Sequence, residues 1–494
     1  MNKTIRFTSL MLALILTACT ALPNHTTHSN TPMLAFDDKT YTVQDVDLNG
    51  KTIKVRAYEN IPYVANPSEP DYQRINIYIP ESYFSGSTIN GYNKDTAPIF
   101  YPNAVGGYMP AKPMTIGVGM NGKPNSVVYA LHRGMVVASA GARGRTQGVG
   151  KAPASIVDLK AGIRYLSAND ALMAGDANKI IVSGTSAGGA MSALLGATGD
   201  HVDYATELDK IGAVSGLDRV FAVMSYCPIT NLDHADMAYE WQLSDIHDYN
   251  KMSITMLDYQ VKRELIPAKL STEQIALARQ LKDSFPNYIN GLNLKGHHGQ
   301  PLTLDKDGNG TFKDEVLYHL NRSLNTAYQS GINLNDYSFI GKNTSAIPYY
   351  ISDYSGFLRS YVGRSKGSPA FDDVNLSSGE NELFGSDKQN ARHFTAFAMA
   401  NSTASKASMA DKQTIKMLNP LPYLDDKHAK VAQHWRIRHG AKDSDTGFAV
   451  PIILATKLQN QGKNVDFSMP WGQGHGGDYD LDELFDWADK VSKE

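Results

Sequence analysis

Residues 179–190 read Lys179-Ile180-Ile181-Val182-Ser183-Gly184-Thr185-Ser186-Ala187-Gly188-Gly189-Ala190: a short apolar strand, a G-x-S-x-G turn and the start of a helix of small residues. Gly184 and Gly188 flank the serine because a strained strand-to-helix turn leaves no room for side chains beside it. Ser186 is the candidate nucleophile, expected at the top of a sheet with the N-terminus of the following helix beneath it. Glycine-rich turns of this kind also cradle phosphates, but a strand on one side and a helix on the other favour the nucleophile.

Outward from this turn, short continuously apolar runs at 97–100, 134–140, 179–183, 220–225, 435–437 and 465–469 read as strands, several buried on both faces. Helical patterns at 155–169 and 189–197 lie between them. Alternation at 53–55 and 75–79 suggests an antiparallel start. The class is therefore α/β, a largely parallel sheet with helices on both faces. From 229 to 419 the pattern changes to mainly helical segments, such as 272–285 and 314–325, before strand-helix alternation resumes. An insertion between two strands explains the break.

The composition is that of an ordinary globular protein: 494 residues, 47 Lys+Arg against 50 Asp+Glu, net charge −3, 42% hydrophobic and 20% charged. This excludes a disordered polyelectrolyte and gives no electrostatic footprint for nucleic acid. Residues 1–18 carry Lys3 and Arg6 and then an apolar run too short to span a bilayer, so they read as a signal peptide. Leu16-Thr17-Ala18-Cys19 resembles a lipoprotein cleavage site with Cys19 lipidated, and 19–34 has the makeup of a tether. The expected location is extracytoplasmic, at a cell membrane or cell surface, with membrane contact through the lipid anchor only and no protein partner implied. The remaining cysteine, Cys227, reads as a small buried residue rather than a nucleophile.

In folds of this kind the acid and then the base follow the nucleophile along the chain, each after a strand. Asp443 and Asp445, after the strand candidate at 435–437, are the acid candidates. Of 14 histidines only His475 lies beyond them, in Trp471-Gly472-Gln473-Gly474-His475-Gly476-Gly477; His434 and His439 precede the acid and read as structural. An amphipathic helix at 481–490 closes the chain. His475 is expected to act as general base and acid, with an aspartate orienting it. Protonation of the imidazole should then silence the enzyme below about pH 6–7. The oxyanion hole is expected from the Ala187 N–H and from a loop after an earlier strand, where Asn103-Ala104-Val105-Gly106-Gly107-Tyr108 points to Gly107.

The stretches Gly184 to Ala190, Cys227-Pro228-Ile229 with His234-Ala235-Asp236-Met237-Ala238-Tyr239-Glu240-Trp241, and His434-Trp435-Arg436-Ile437-Arg438-His439-Gly440 resemble bacterial tannases, galloyl-ester hydrolases, from about Ala35 to the C-terminus. The resemblance implies an α/β-hydrolase core with a large, mainly helical lid between nucleophile and acid. The implied division is a first core part at 35–228, a lid at 229–419 and a second core part at 420–494. It also implies that Asp443 completes the triad, and that Asp445, Lys366 and Glu380 contact the ring hydroxyls of gallate. No cofactor and no metal is expected, and galloyl esters are the expected small-molecule partners. Fungal tannases and related feruloyl esterases carry cysteines where this chain has Thr185 and Gly476.

A feruloyl-type or general carboxylesterase would share the triad, and only Lys366, Glu380 and Asp445 speak against it. A lipid-anchored binding protein with a decayed site is the alternative of another class; intact Ser186, Asp443 and His475 weigh against it. Asp305-Lys306-Asp307-Gly308-Asn309-Gly310 matches half of a calcium loop, but Val316 stands where a bidentate Glu should be. A polar turn is the better reading.

Overall fold

The computed structural model describes residues 34–119, 122–257, 260–345 and 348–494, with backbone alone over 252–257 and 260–263. The expected signal peptide, Cys19 and all of the tether but its last residue lie outside the described residues. Thirteen strands are found among those described: β1 Thr42–Leu48, β2 Lys51–Pro62, β3 Arg74–Pro80, β4 Pro98–Pro102, β5 Val136–Ala140, β6 Asp176–Thr185, β7 Ala222–Tyr226, β8 Asp248–Leu257, β9 Gln260–Lys269, β10 Ile340–Lys342, β11 Tyr349–Ile351, β12 His434–Arg438 and β13 Asn464–Ser468.

Nine of them form one sheet in the order β1-β2-β3-β5-β4-β6-β7-β12-β13. The first three strands and the β3–β5 pair are antiparallel, and every pair from β5 to β13 is parallel. The parallel strands β4 to β7 are largely apolar because both their faces are covered, whereas β12 alternates Trp435 and Ile437 with the buried Arg436 and Arg438. Ile180 and Val182 point into one buried layer with Ile99, Tyr101, Val223 and Trp435. Ile181 points into the other with Phe100, Val137 and Met224. The first layer is closed by helices Ala154–Ala168, Ala187–Ala197 and Ala449–Asn460, the second by Ser126–His132 and Leu481–Lys493. Phe100 meets Phe485 of the last helix edge to face at 5.1 Å.

The helix after Ser186 lies against the sheet because it is built of small residues. A Cβ at Gly189 would stand 2.5 Å from the Tyr226 carbonyl oxygen, and one at Gly196 would stand 2.2 Å from Val223 and 2.8 Å from the Trp435 ring.

Between β7 and β12 run the helices Leu232–Leu243, Thr272–Gly291 and Thr311–Gln329 with several shorter ones. The second starts at a capping box of Ser271 and Gln274. Two hairpins, β8–β9 and β10–β11, also lie here, beyond the mainly helical content expected from sequence. The three-residue strands of β10–β11 are too short for a period of two to register, whereas Lys251-Met252-Ser253-Ile254-Thr255-Met256 does alternate. The apolar cluster over the sheet continues into this segment through Phe285, Phe312, Val316, Phe357 and Phe371. In the half-matched calcium loop, Asp305 Oδ1 accepts the Asp307 and Asn309 N–H groups at 2.9 Å each, and Lys313 donates to Asn309, as in a self-closed polar turn.

Gly196→Ala should lower stability by about 1–3 kcal/mol through overpacking against Val223 and Trp435, read as a lower midpoint in urea unfolding with an unchanged slope.

Candidate active site

Ser186 follows β6 and immediately precedes helix Ala187–Ala197, with φ at +61° and ψ at −122°. A non-glycine residue held at positive φ is strained, and here the strain is over-determined by close packing on every side. The Ser186 N–H donates to the Tyr226 carbonyl at 2.9 Å. A Cβ at Gly184 would meet the Gly188 carbonyl at 2.3 Å, and one at Gly188 would meet the Val105 carbonyl at 2.6 Å. The glycines of G-x-S-x-G are thus required by backbone approach from the turn itself and from the loop after β4.

The residues expected as acid and base, Asp443 and His475, stand on loops that follow β12 and β13. Asp443 is fully buried. Its Oδ1 accepts the N–H groups of Asp445 and Thr446 at 2.8 and 3.2 Å, leaving Oδ2 to accept from His475 Nδ1 at 2.8 Å. His475 Nε2 in turn accepts from the Ser186 hydroxyl at 2.8 Å. Donation from Nδ1 fixes the tautomer that leaves Nε2 free to accept a proton. Burial alone would depress the His475 pKa, but the charge and hydrogen bond of Asp443 prevail and hold it well above the ordinary histidine value. Burial likewise opposes ionisation of Asp443, yet His475 and His439 keep its carboxyl well below the usual range.

The base loop is tied down on several sides. Gly472 N–H donates to the Tyr361 hydroxyl at 2.8 Å, and Lys442 N–H donates to the Gln473 carbonyl at 2.9 Å. A Cβ at Gly440 would stand 2.2 Å from that same carbonyl, and one at Gly477 would stand 2.1 Å from Thr185 Oγ1.

The loop after β4 is bound to the serine turn through Asn103, whose side-chain amide donates to the carbonyls of Ser183 and Gly188 at 2.9 and 3.1 Å. Gly107 has φ at +55°, and no acceptor takes its N–H among the described residues. The Ala187 N–H is the first of its helix and has no intrahelical partner. Both groups that sequence named for an oxyanion hole are therefore available donors.

Lys366 Nζ donates to Asp445 Oδ2 at 3.0 Å, and that oxygen lies 3.7 Å from His475 Nε2. Burial disfavours the ammonium, but Asp445 and Glu380 outweigh it and hold the Lys366 pKa above its ordinary value. Glu380, in the short helix Gly379–Leu383, is pushed up by burial, with Asp445 adding to the effect against the pull of Lys366. The three residues implied by resemblance thus form one charge cluster beside the serine, histidine and aspartate.

Sequence reading missed the residues that hold this cluster in place. Arg364 forms a fully buried pair with Glu240, at 2.9 Å from Nη1, and donates to the carbonyls of Lys366 and Gly367. Ser365 and Tyr239 both donate to the Ser444 carbonyl, joining the Lys366 turn to the loop of the acid. Arg145 donates from Nε to the Gly107 carbonyl at 2.8 Å and pairs with Glu382, two residues from Glu380. The only sequence signal for Arg145 is its neighbour Gly144, where a Cβ would stand 2.1 Å from the Pro110 nitrogen.

A family model described as BD-FAE matches residues 119–272. No curated protein matches the chain. Among solved structures, the tannase of Fusobacterium nucleatum is 47% identical, with 93% of this chain and 99% of that one covered and a TM-score of 0.87. The tannase of Lactobacillus plantarum is 42% identical, with 93% and 100% covered and a TM-score of 0.88. A tannin acyl hydrolase in complex with ethyl gallate is likewise 42% identical, with 93% and 99% covered and a TM-score of 0.85.

The Asp443–His475 bond makes a titration prediction that needs no substrate. In the free protein the His475 imidazole should lose its proton above the ordinary value of about 6.5, and Asp443→Asn should move that titration downward. NMR of the ring protons against pH reads both; an unshifted histidine in the unsubstituted protein would contradict the ion pair.

Proposed function

The chain belongs to the bacterial tannase family, and from that premise we propose that it is a serine esterase that hydrolyses galloyl esters and releases gallic acid. The observation that carries the proposal is one shared oxygen: Asp445 Oδ2 pairs with Lys366 Nζ at 3.0 Å and lies 3.7 Å from His475 Nε2. A group suited to ring hydroxyls is thereby placed beside the group suited to proton transfer. A ring with adjacent hydroxyls offers donors and acceptors together, and Asp445, Glu380 and Lys366 supply the complementary set.

In the proposed reaction Ser186 Oγ attacks the ester carbonyl while its proton passes to His475 Nε2. The Ala187 and Gly107 N–H groups stabilise the oxyanion, and the alcohol leaves with the proton from His475. Water, deprotonated by His475, then attacks the galloyl-serine, and Ser186 recovers its proton as gallic acid departs. Asp443 keeps the imidazole oriented and balances its charge. The chemistry draws on no cofactor. Within the same proposal Cys19 carries the lipid, so the enzyme acts outside the cytoplasm on esters too large to import.

Initial rates with methyl gallate, methyl ferulate and methyl benzoate test the reading. Fast turnover of the gallate is expected, with benzoate slower by up to about 10⁴–10⁵ because buried polar groups would be left unpaired. Comparable rates on all three would favour a general carboxylesterase. Ser186→Ala should abolish turnover with an unchanged circular-dichroism spectrum, and Asp443→Asn should lower kcat by about 10⁴. The rate should rise with pH along the raised His475 titration, since only the neutral imidazole accepts a proton. The acid limb therefore lies above the pH 6–7 expected for an unperturbed histidine.

Arg145→Ala should reduce kcat about tenfold or more while KM for methyl gallate changes less, because a small displacement of Gly107 weakens oxyanion stabilisation more than ring binding. An unchanged kcat would remove Arg145 from this positioning role.

A further inference from the structure

Behind the triad lie two buried side chains that the proposed reaction does not use, Cys227 and His439, both close to Asp443. Cys227 follows β7 with φ at +43° and is fully buried. Its thiol lies 3.4 Å from the Gly476 carbonyl and 3.8 Å from that of Gly474, the two neighbours of the base. His439, at the end of β12, is also fully buried, and neither of its ring nitrogens has a hydrogen-bond partner among the described residues. Its Nε2 stands 3.7 Å from Asp443 Oδ2, the oxygen that also holds His475. One ligand atom each of Cys227, His439 and Asp443 lies within 4.8 Å of the other two, and no second group of three such side chains is found among the described residues.

We propose that Cys227, His439 and Asp443 bind a thiophilic divalent cation of the Zn²⁺ or Cd²⁺ class, and that its binding stops ester hydrolysis by drawing Asp443 away from His475. The donor set of one sulfur, one imidazole nitrogen and one carboxylate oxygen suits such an ion. Metal bonds of about 2.0–2.3 Å place tetrahedral ligand atoms roughly 3.3–3.8 Å apart, so the three groups need to close in by about an ångström. The unpartnered imidazole supplies a buried polar group that lacks a bond and would gain one.

On binding, the thiol proton leaves to solvent, the sulfur lone pair forms the new bond, and no electron is transferred. A thiolate and a carboxylate then neutralise the cation. His475 loses the partner that orients its ring. The inhibitory half of the proposal rests on the proposed esterase reading; the binding half does not.

Titration of the purified protein with cadmium chloride tests both, reading the cadmium–thiolate charge-transfer absorption in the ultraviolet alongside methyl gallate rates. One equivalent should bind to the unsubstituted protein and equally to Ser186→Ala, and kcat should fall at least tenfold with KM little changed. A chelator should restore the rate, and magnesium should have no effect. Cys227→Ser should abolish the band, and His439→Asn should weaken binding by about tenfold or more. Cadmium NMR of the unsubstituted protein reports sulfur and nitrogen ligation even where the variants do not fold.

No band in correctly folded protein overturns the proposal, as does a band that survives Cys227→Ser or that vanishes in Asp445→Asn alone. Stoichiometric binding with an unaltered rate overturns the inhibitory half. If the metal-free protein does not hydrolyse methyl gallate, the esterase reading fails while the absorption band still decides the site.

Discussion

The geometry of the candidate active site turns on a carboxylate with no solvent of its own. Asp443 is fully buried, so its charge must be satisfied by protein, and its two oxygens divide the task. Oδ1 accepts two backbone N–H groups of its own loop, and Oδ2 accepts from His475. A buried anion without such partners would neutralise itself. Because the backbone claims one oxygen, the other can point in one direction only, and that direction sets the plane of the imidazole and the line from Nε2 to Ser186. The loop of the base is packed accordingly, against Gly440 and Thr185, with glycines at the positions where a side chain would collide.

Much of this was legible in the sequence because backbone constraints leave residue types behind. The strand, the two glycines and the small helix residues at 180–190 state that a turn is crowded from both sides, and the structure shows the crowding atoms. The alternation of apolar runs and helical patterns likewise told the class, since most of the strands buried on both faces carry apolar residues in both phases; β12, with its buried Arg436 and Arg438, departs from this. His475 was legible by position, being the sole histidine beyond the acid. Lys366, Glu380 and Asp445 were not legible in this way. Each is one charge on a loop, and they came into view through family resemblance.

The supporting residues were the least legible. Arg145 reaches Gly107 and Glu382, and Arg364 reaches Glu240, over 38 to 237 positions in the chain, and no local spacing encodes such a pairing. His439 was read as structural from its place before the acid, which is correct as to the chain order and silent on its approach to Asp443. The hairpin β10–β11 escaped for another reason, its strands being shorter than the window in which alternation can be counted.

The buried layer over the sheet passes without interruption into the segment between β7 and β12, so Phe357 and Phe371 are packed with the same cluster as Trp435 and Val182. A segment rooted in this way is not a cassette that can be exchanged whole between related proteins. The turns that carry Lys366 and Glu380 therefore stand on a layer they share with the sheet, so that disturbing the residues behind them disturbs the packing of the core as well.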